Sequence, residues 1–155
     1  YLDSLSNTGL IPFEKELDHI EDYLYLEKMR YGERLRIRWE IGYQDFMLPP
    51  LTLQPIVENA VRYGITQKKA GGSLTIRSGQ ADGSVVITVV DDGVGFDISE
   101  KKEDGRTHIG LENVRDRLDA MCGGRLEVKS EIGTGTEIKL ILPQRRNRVN
   151  ENYSG

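Results

Sequence analysis

The stretch VVDDGVGFD, residues 89–97, sets two carboxylates and two glycines directly behind a run of apolar, β-branched residues. Asp-Gly is a strong hairpin signal, but no strand pattern follows Asp92-Gly93, only the charged run GFDISEKKEDGRTH. A calcium loop would need a glycine at its sixth position and a glutamate at its twelfth. Counted from Asp91, the seventh position is Asp97 and the twelfth is Lys102. Two readings remain: a plain turn, or a carboxylate, Asp91, at a strand end beside Gly93 and Gly95, whose missing side chains would let a flat ligand touch the backbone.

Three other clusters could carry chemistry. In VENAVRYG, residues 57–64, Asn59 with Arg62 and Tyr63 at i+3 and i+4 gathers an amide, a guanidinium and a phenol on one helical face. The competing reading is a Glu58–Arg62 surface pair, worth a few tenths of a kcal/mol, beside a chance amide. In HIGLENVRDRL, residues 108–118, a loop enters a helix through Gly110. A helix start offers N–H groups and a positive dipole end to phosphate, although every loop-to-helix junction offers the same. GTGT, residues 133–136, lies between two strand patterns, and taken singly it reads as a plain turn that needs no function.

The elements that must position these clusters follow from apolar spacing. Phe13, Leu17, Ile20 and Leu24 recur every three or four residues, predicting an amphipathic helix from Phe13 to about Arg30. Leu35, Ile37, Trp39 and Ile41 alternate with charged residues, as in a strand buried on one face. In LPPLTLQPIVENAVRYG, Pro55 is tolerable only in a first helical turn, so a short helix should run from near Gln54 to Gly64. Ser73–Ser78 and Ser84–Asp91 read as strands joined by a turn at ADG, residues 81–83. Leu111, Val114, Leu118 and Met121 restore helical spacing, Gly123-Gly124 ends it, and residues 125–143 form a final hairpin. The predicted order is α-β-α-β-β-loop-α-β-β: an α+β, two-layer sandwich with a mixed sheet of about five strands covered on one face by three helices.

Composition narrows the function classes. At 155 residues the chain holds one ordinary domain. A net charge of −4 with 30% charged residues suits a soluble protein and lacks the basic excess that nucleic-acid binding requires. The single cysteine, Cys122, forms no internal disulfide, and no Cys/His group has zinc spacing, so a reducing, cytoplasmic setting is expected. No apolar run reaches the roughly 18 residues of a membrane span. Because Tyr1 is not a natural start, the chain is expected to be cut from a longer one. Residues 1–12 would then be linker, 13–143 the folded domain and 144–155 a flexible tail.

The four clusters occur in one order: amide helix, Asp-x-Gly-x-Gly, Gly-Leu helix start, Gly-x-Gly-Thr turn. That joint pattern resembles the Bergerat-fold ATPases, the superfamily of gyrase-type topoisomerases, heat-shock chaperones, mismatch-repair ATPases and histidine kinases. Within it, PFEKELDHIEDYLYLEKMRYGERL followed by LPPLTLQPIVENAVRYG looks like the LytS-type sensor histidine kinases. The resemblance covers roughly residues 11–143.

The resemblance implies ATP and Mg²⁺ as ligands. Asp91 would accept the exocyclic amine of adenine, where guanine would present a repelling carbonyl oxygen; Thr136 would support that edge through water. Asn59 would offer its amide oxygen to Mg²⁺, and Arg62 and Tyr63 would reach phosphate oxygens. Ile109, Gly110 and Leu111 would close over the phosphates with their backbone, with residues 96–109 as a lid. Superfamily ATPases carry an acid one helical turn before this asparagine to activate water; Pro55 stands there and cannot act as a base, so hydrolysis should be slow.

The phosphoacceptor histidine would lie on a separate dimeric helical domain of the parent protein, since neither His19 nor His108 has the family's Pro-His-Phe surroundings. A response regulator would take the phosphoryl group, and the parent would be membrane-bound. Three departures stand out: His108 where glycine is usual, Asp92 for a common asparagine and Tyr63 for a common histidine. Two other readings share the pocket: an ATP-gated interaction module without phosphoryl transfer, and a serine/threonine kinase of the anti-sigma type.

Overall fold

Phe13, Leu17, Ile20 and Leu24 form the buried side of the first helix, as their spacing requires. The structure is a computed structural model and describes residues 9–98 and 110–144. In chain order the elements are β1 (Ile11–Pro12), α1 (Phe13–Tyr31), β2 (Leu35–Ile41), β3 (Met47–Leu48), α2 (Leu53–Asn59), β4 (Gly72–Ala81), β5 (Ser84–Asp91), α3 (Leu111–Cys122), β6 (Arg125–Glu131) and β7 (Gly135–Pro143). Glu14 and Glu16 in the first turn of α1 and Lys28 and Arg30 in its last suit the helix dipole.

Five strands make the main sheet in the order β2-β4-β5-β7-β6, with β2 parallel to β4 and every other pair antiparallel. One face carries the core. Leu74 and Ile76 of β4, Val85, Ile87 and Val89 of β5, and Ile138, Leu140 and Leu142 of β7 point to the helices at period two. Each such side chain contributes roughly 1.5–3 kcal/mol on burial. The mixed five-stranded sheet under three helices is therefore the architecture that the spacing predicts.

Asp82 and Gly83 both have positive φ, +52° and +76°, so ADG makes the tight, primed turn between β4 and β5. Elsewhere the structure departs from the predicted elements. β2 is an edge strand, which leaves Trp39 37% exposed although it alternates in phase with buried Leu35. Met121 stays exposed at the end of α3. The β1–β3 ribbon is too short for any alternation to show; Phe13 and Phe46 stack beside it with ring centroids 4.4 Å apart. The predicted helix to Gly64 is α-helical only to Asn59, widens into a π turn over Ala60–Gly64 and tightens into a 3-10 turn over Ile65–Gln67. Thr66 Oγ1 donates to the carbonyls of Val61 and Arg62, satisfying groups that the irregular end would orphan.

Candidate functional site

Asp91 is the last residue of β5 and shares the inward parity of Val85, Ile87 and Val89. The apolar alternation thus carries a carboxylate to the helix side of the sheet, where it is only 6% exposed. Burial pushes its carboxyl up to about 6; the Asp92 charge adds to the rise, while the N–H groups of Gly93 and Thr136 and the Lys68 ammonium oppose it. Oδ1 accepts the Gly93 N–H at 2.9 Å.

A pocket opens beside this carboxylate, with about 460 Å³ of empty space including its mouth. Ile56 of α2, Ala60 of the π turn, Val89, Phe96, Leu111 of α3, and Ile138 form apolar walls; Asp91, Thr136, Asn59 and Tyr63 supply the polar groups. Apolar walls with a carboxylate acceptor among them suit a flat heterocycle that donates a hydrogen bond.

Asp91 and Thr136 are direct partners in the β5–β7 ladder, and Thr136 is in turn the partner of Ser130 on β6. The Ser130 and Thr136 hydroxyls lie 2.7 Å apart, and Ser130 Oγ also accepts the Phe96 N–H at 2.9 Å. Ser130 escapes a motif-based reading. Its signal is a polar residue continuing the inward series Leu126, Val128 at the strand's end.

Gly93 and Gly95 owe their identity first to the protein itself. A Cβ on Gly93 would overlap the backbone of Gly64, and one on Gly95, at φ +69°, would overlap the carbonyl of Glu131. Gly95 still lines the pocket; Gly93 does not. Asp92 points away from the pocket: its Oδ1 accepts the Ser73 N–H at 2.7 Å, and Lys68 Nζ donates to its carbonyl at 2.9 Å.

Of the other expected site residues, Asn59, Tyr63, Leu111 and Thr136 line the pocket with Asp91. Arg62 lies outside it on the exposed side of the π turn, with its guanidinium carbon 5.8 Å from the centre of the Tyr63 ring. A hydrogen bond that the guanidinium donates to the Tyr63 phenol oxygen raises the Arg62 pKa further. Arg62 lies within the π turn that follows Asn59, where the Glu58 carboxylate also acts on its charge. Gly110 stands at the start of α3 with φ +73° and no side-chain cap. Ile109, His108 and most of the expected lid lie outside the described residues. Phe96 belongs to the pocket wall and packs on the core, so the described part of a lid begins after it.

Comparison with known proteins bears on this geometry. A family model described as histidine kinase-, DNA gyrase B- and HSP90-like ATPase matches residues 49–146, which include every lining residue of the pocket. A second, described as histidine kinase, matches residues 1–35. The chain is 34% identical over 151 residues to sensor histidine kinase YpdA of Escherichia coli (strain K12), covering 94% of this chain and 26% of that protein. It is 31% identical over 157 residues to sensor protein LytS of Bacillus subtilis (strain 168), covering 94% and 26% respectively.

The chain spans about a quarter to about a half of the length of the curated relatives it matches. Among solved structures it is similar to the histidine kinase domain of the blue-light activated histidine kinase from Erythrobacter litoralis EL346, with a TM-score of 0.68 at 21% identity, covering 91% of this chain and 65% of that one. It is also similar to the catalytic domain of histidine kinase ThkA, with a TM-score of 0.62 at 16% identity, covering 87% and 94%. Both likenesses show the Bergerat fold. On the match over residues 49–146, the chain belongs to the histidine kinase-, DNA gyrase B- and HSP90-like ATPases, and within them it resembles the LytS-type sensor kinases.

Proposed function

We propose that this chain is the ATP-binding catalytic domain of a LytS-type sensor histidine kinase, and that the protein carrying it passes the γ-phosphoryl group of ATP to a histidine on a separate, dimeric helical domain. The observation that carries this reading is the Asp91 carboxylate, buried at the end of β5 in an apolar-walled pocket. A carboxylate has acceptor positions for about four hydrogen bonds. After the Gly93 and Thr136 N–H groups, capacity remains for the amine at the edge of adenine, and the same acceptor repels the carbonyl of guanine.

The remaining residues take roles by position. Thr136, braced by Ser130, supports the same edge of the base. Ile56, Ala60, Phe96 and Leu111 hold the ring and exclude water. Asn59 at the end of α2, Tyr63 in the π turn, and the N-terminus of α3 at Gly110 and Leu111 flank the side on which the phosphates would lie. Arg62 sits one step outside and would turn inward onto a phosphate oxygen.

Among the described residues no three His, Cys, Asp or Glu side chains group to hold a metal. A magnesium ion would therefore depend on the Asn59 amide oxygen together with phosphate oxygens, a coordination this small, strongly hydrated ion accepts. Bound there, it would neutralise charge on the phosphates during transfer. Phosphoryl transfer asks mainly for positioning and neutralisation, so the acceptor can come from another domain. The sensor kinase relatives support a response regulator as next acceptor and a cytoplasmic face of a membrane protein as the setting. No described helix is long and apolar enough to cross a membrane.

The deciding experiment is calorimetric titration with ATP and GTP, followed by γ-phosphate labelling of a longer chain that includes the upstream segment. ATP should bind at least tenfold more tightly than GTP, and the longer chain should label on histidine. Equal affinities would remove the adenine reading. ATP binding without label would favour a nucleotide-gated interaction module, and acid-stable label on a partner protein would favour a serine/threonine kinase.

A further inference from the structure

Glu16 occupies the buried stripe of α1 and is 1% exposed, among side chains that are otherwise apolar. Its carboxylate reaches the chain entering α2. Oε1 accepts the Leu51 N–H at 3.0 Å, while Oε2 accepts those of Thr52 at 2.9 Å, Leu53 at 2.6 Å and Gln54 at 3.4 Å. From the other side, Nη1 of Arg117 on α3 donates to the carbonyls of Pro50 at 3.2 Å and Leu51 at 2.5 Å. Thr52 Oγ1 closes the turn internally by donating to the Pro49 carbonyl at 2.6 Å. Leu51 sits at φ +56°, a conformation uncommon for residues other than glycine, which persists where the surroundings over-determine it.

One turn, residues 49–54, is thus gripped by α1 through its N–H groups and by α3 through its carbonyls. The two walls of the pocket depart from this junction. α2 runs from it to Ile56 and Asn59 and on into the π turn with Ala60 and Tyr63; α3 carries Leu111 at its start and Arg117 two turns on. Apolar contacts between helices can slide, whereas six directional hydrogen bonds to one turn fix an origin.

We propose that Glu16 and Arg117 are positioning residues for the nucleotide site: by clamping the turn at residues 49–54 between α1 and α3, they set the separation of the α2 wall, with Asn59, from the α3 wall, with Leu111. This rests on the proposed function for the identity of the ligand, but not for the mechanics. A displacement of α1 then reaches Asn59 through Glu16 without passing through the sheet.

The test uses Glu16→Gln, which keeps the size and replaces one acceptor oxygen by a donor, and Arg117→Lys, which keeps the charge and loses the planar donor group. Residue-resolved hydrogen exchange on the nucleotide-free protein reads the clamp directly. Amides 56–61 should lose at least tenfold in protection in each variant while those of β5 and β7 keep theirs. In titrations, the ratio of ATP affinity with Mg²⁺ to that with a chelator should fall at least tenfold in Glu16→Gln, and the double variant should lose less than the product of the singles, because both residues grip Leu51.

Uniform loss of protection across the sheet, or unchanged protection in α2, overturns the proposal. If Glu16→Gln does not fold, Arg117→Lys decides, since Arg117 lies outside the core. Should the unaltered protein bind no ATP, the proposed function falls while the exchange pattern still decides whether the clamp exists.

Discussion

Gly93 and Gly64 meet backbone to backbone: a Cβ on Gly93 would overlap the Gly64 main chain, with its Cα and carbonyl oxygen each at 2.6 Å. Val94 N–H donates to that same Gly64 carbonyl at 3.3 Å, so the strand end bearing Asp91 is joined to the end of the π turn bearing Tyr63. The two sides of the pocket floor are held together by an absence of side chains.

Gly93→Ala should therefore destabilise by about 1–3 kcal/mol, the usual cost of forcing an extra methyl into filled space. At this chain length each kcal/mol lowers the thermal midpoint by roughly 2–4 °C. Gly79→Ala is the control, because a Cβ there meets nothing within 4 Å and the backbone is extended. Scanning calorimetry should separate the two; equal midpoints would mean that the 93–64 contact yields without cost.

Asp91 makes stability depend on pH in a direction opposite to an ordinary salt-bridged carboxylate. Its folded pKa of about 6 lies above the ordinary 3.8, so between about pH 4 and pH 6 the folded protein binds more protons than the unfolded chain. Stability from this group is present below that window and is lost as pH rises through it, a difference on the order of 2–3 kcal/mol for the full shift. Asp91→Asn abolishes the titration. The thermal midpoint of Asp91→Asn minus that of the unaltered protein should be more positive at pH 7 than at pH 5. An amine donor favours the ionised form, so adenosine, which carries no titrating phosphate, should bind the unaltered protein more weakly below about pH 6. In Asp91→Asn the binding should be at least tenfold weaker at pH 7, about 1.4 kcal/mol, and flat with pH. A pH-independent midpoint difference would exclude a buried, titrating Asp91.

Ser130 holds both Thr136 and the Phe96 backbone, two residues that line the pocket. Replacing it by alanine leaves the Phe96 N–H without that acceptor and frees the Thr136 hydroxyl to rotate. The expected cost is about 1–2 kcal/mol in denaturant unfolding. ATP affinity should fall several-fold, with the loss equal for ATP and adenosine because the defect lies at the base. A loss confined to ATP would place the Thr136 edge at the phosphates instead.

The parts legible in the sequence were those with a period or a local conformational demand. The stripe from Phe13 to Leu24, the alternation ending in Asp91 and the Asp82-Gly83 turn each state their own geometry. What stayed hidden depends on distant partners. Glu16 reads as one more acidic residue on a charged helix until the residue 49–54 turn is brought to it across a sequence separation of 35. The glycines of DDGVG invite a ligand-based explanation because Gly64 and Glu131, the groups they touch, are far away in sequence. The π turn leaves no mark on apolar spacing either, since Val61, Gly64 and Ile65 stay buried through it.

Asn59 is the last α-helical residue before that widened turn and lines the pocket on the side of Tyr63. An amide oxygen is a neutral ligand, weak alone, and its contribution should appear only when phosphates supply the rest of a magnesium shell. Asn59→Ala should therefore lower ATP affinity in Mg²⁺ to the value measured in chelator, while adenosine affinity stays within about twofold. Asn59 is partly exposed and ends its helix, so the midpoint should move little. The comparison is made by calorimetric titration of both ligands with and without Mg²⁺. If Asn59→Ala weakens adenosine as much as ATP, the amide serves the base pocket and the metal is held elsewhere; if it retains full Mg²⁺ dependence, the amide is not a ligand at all.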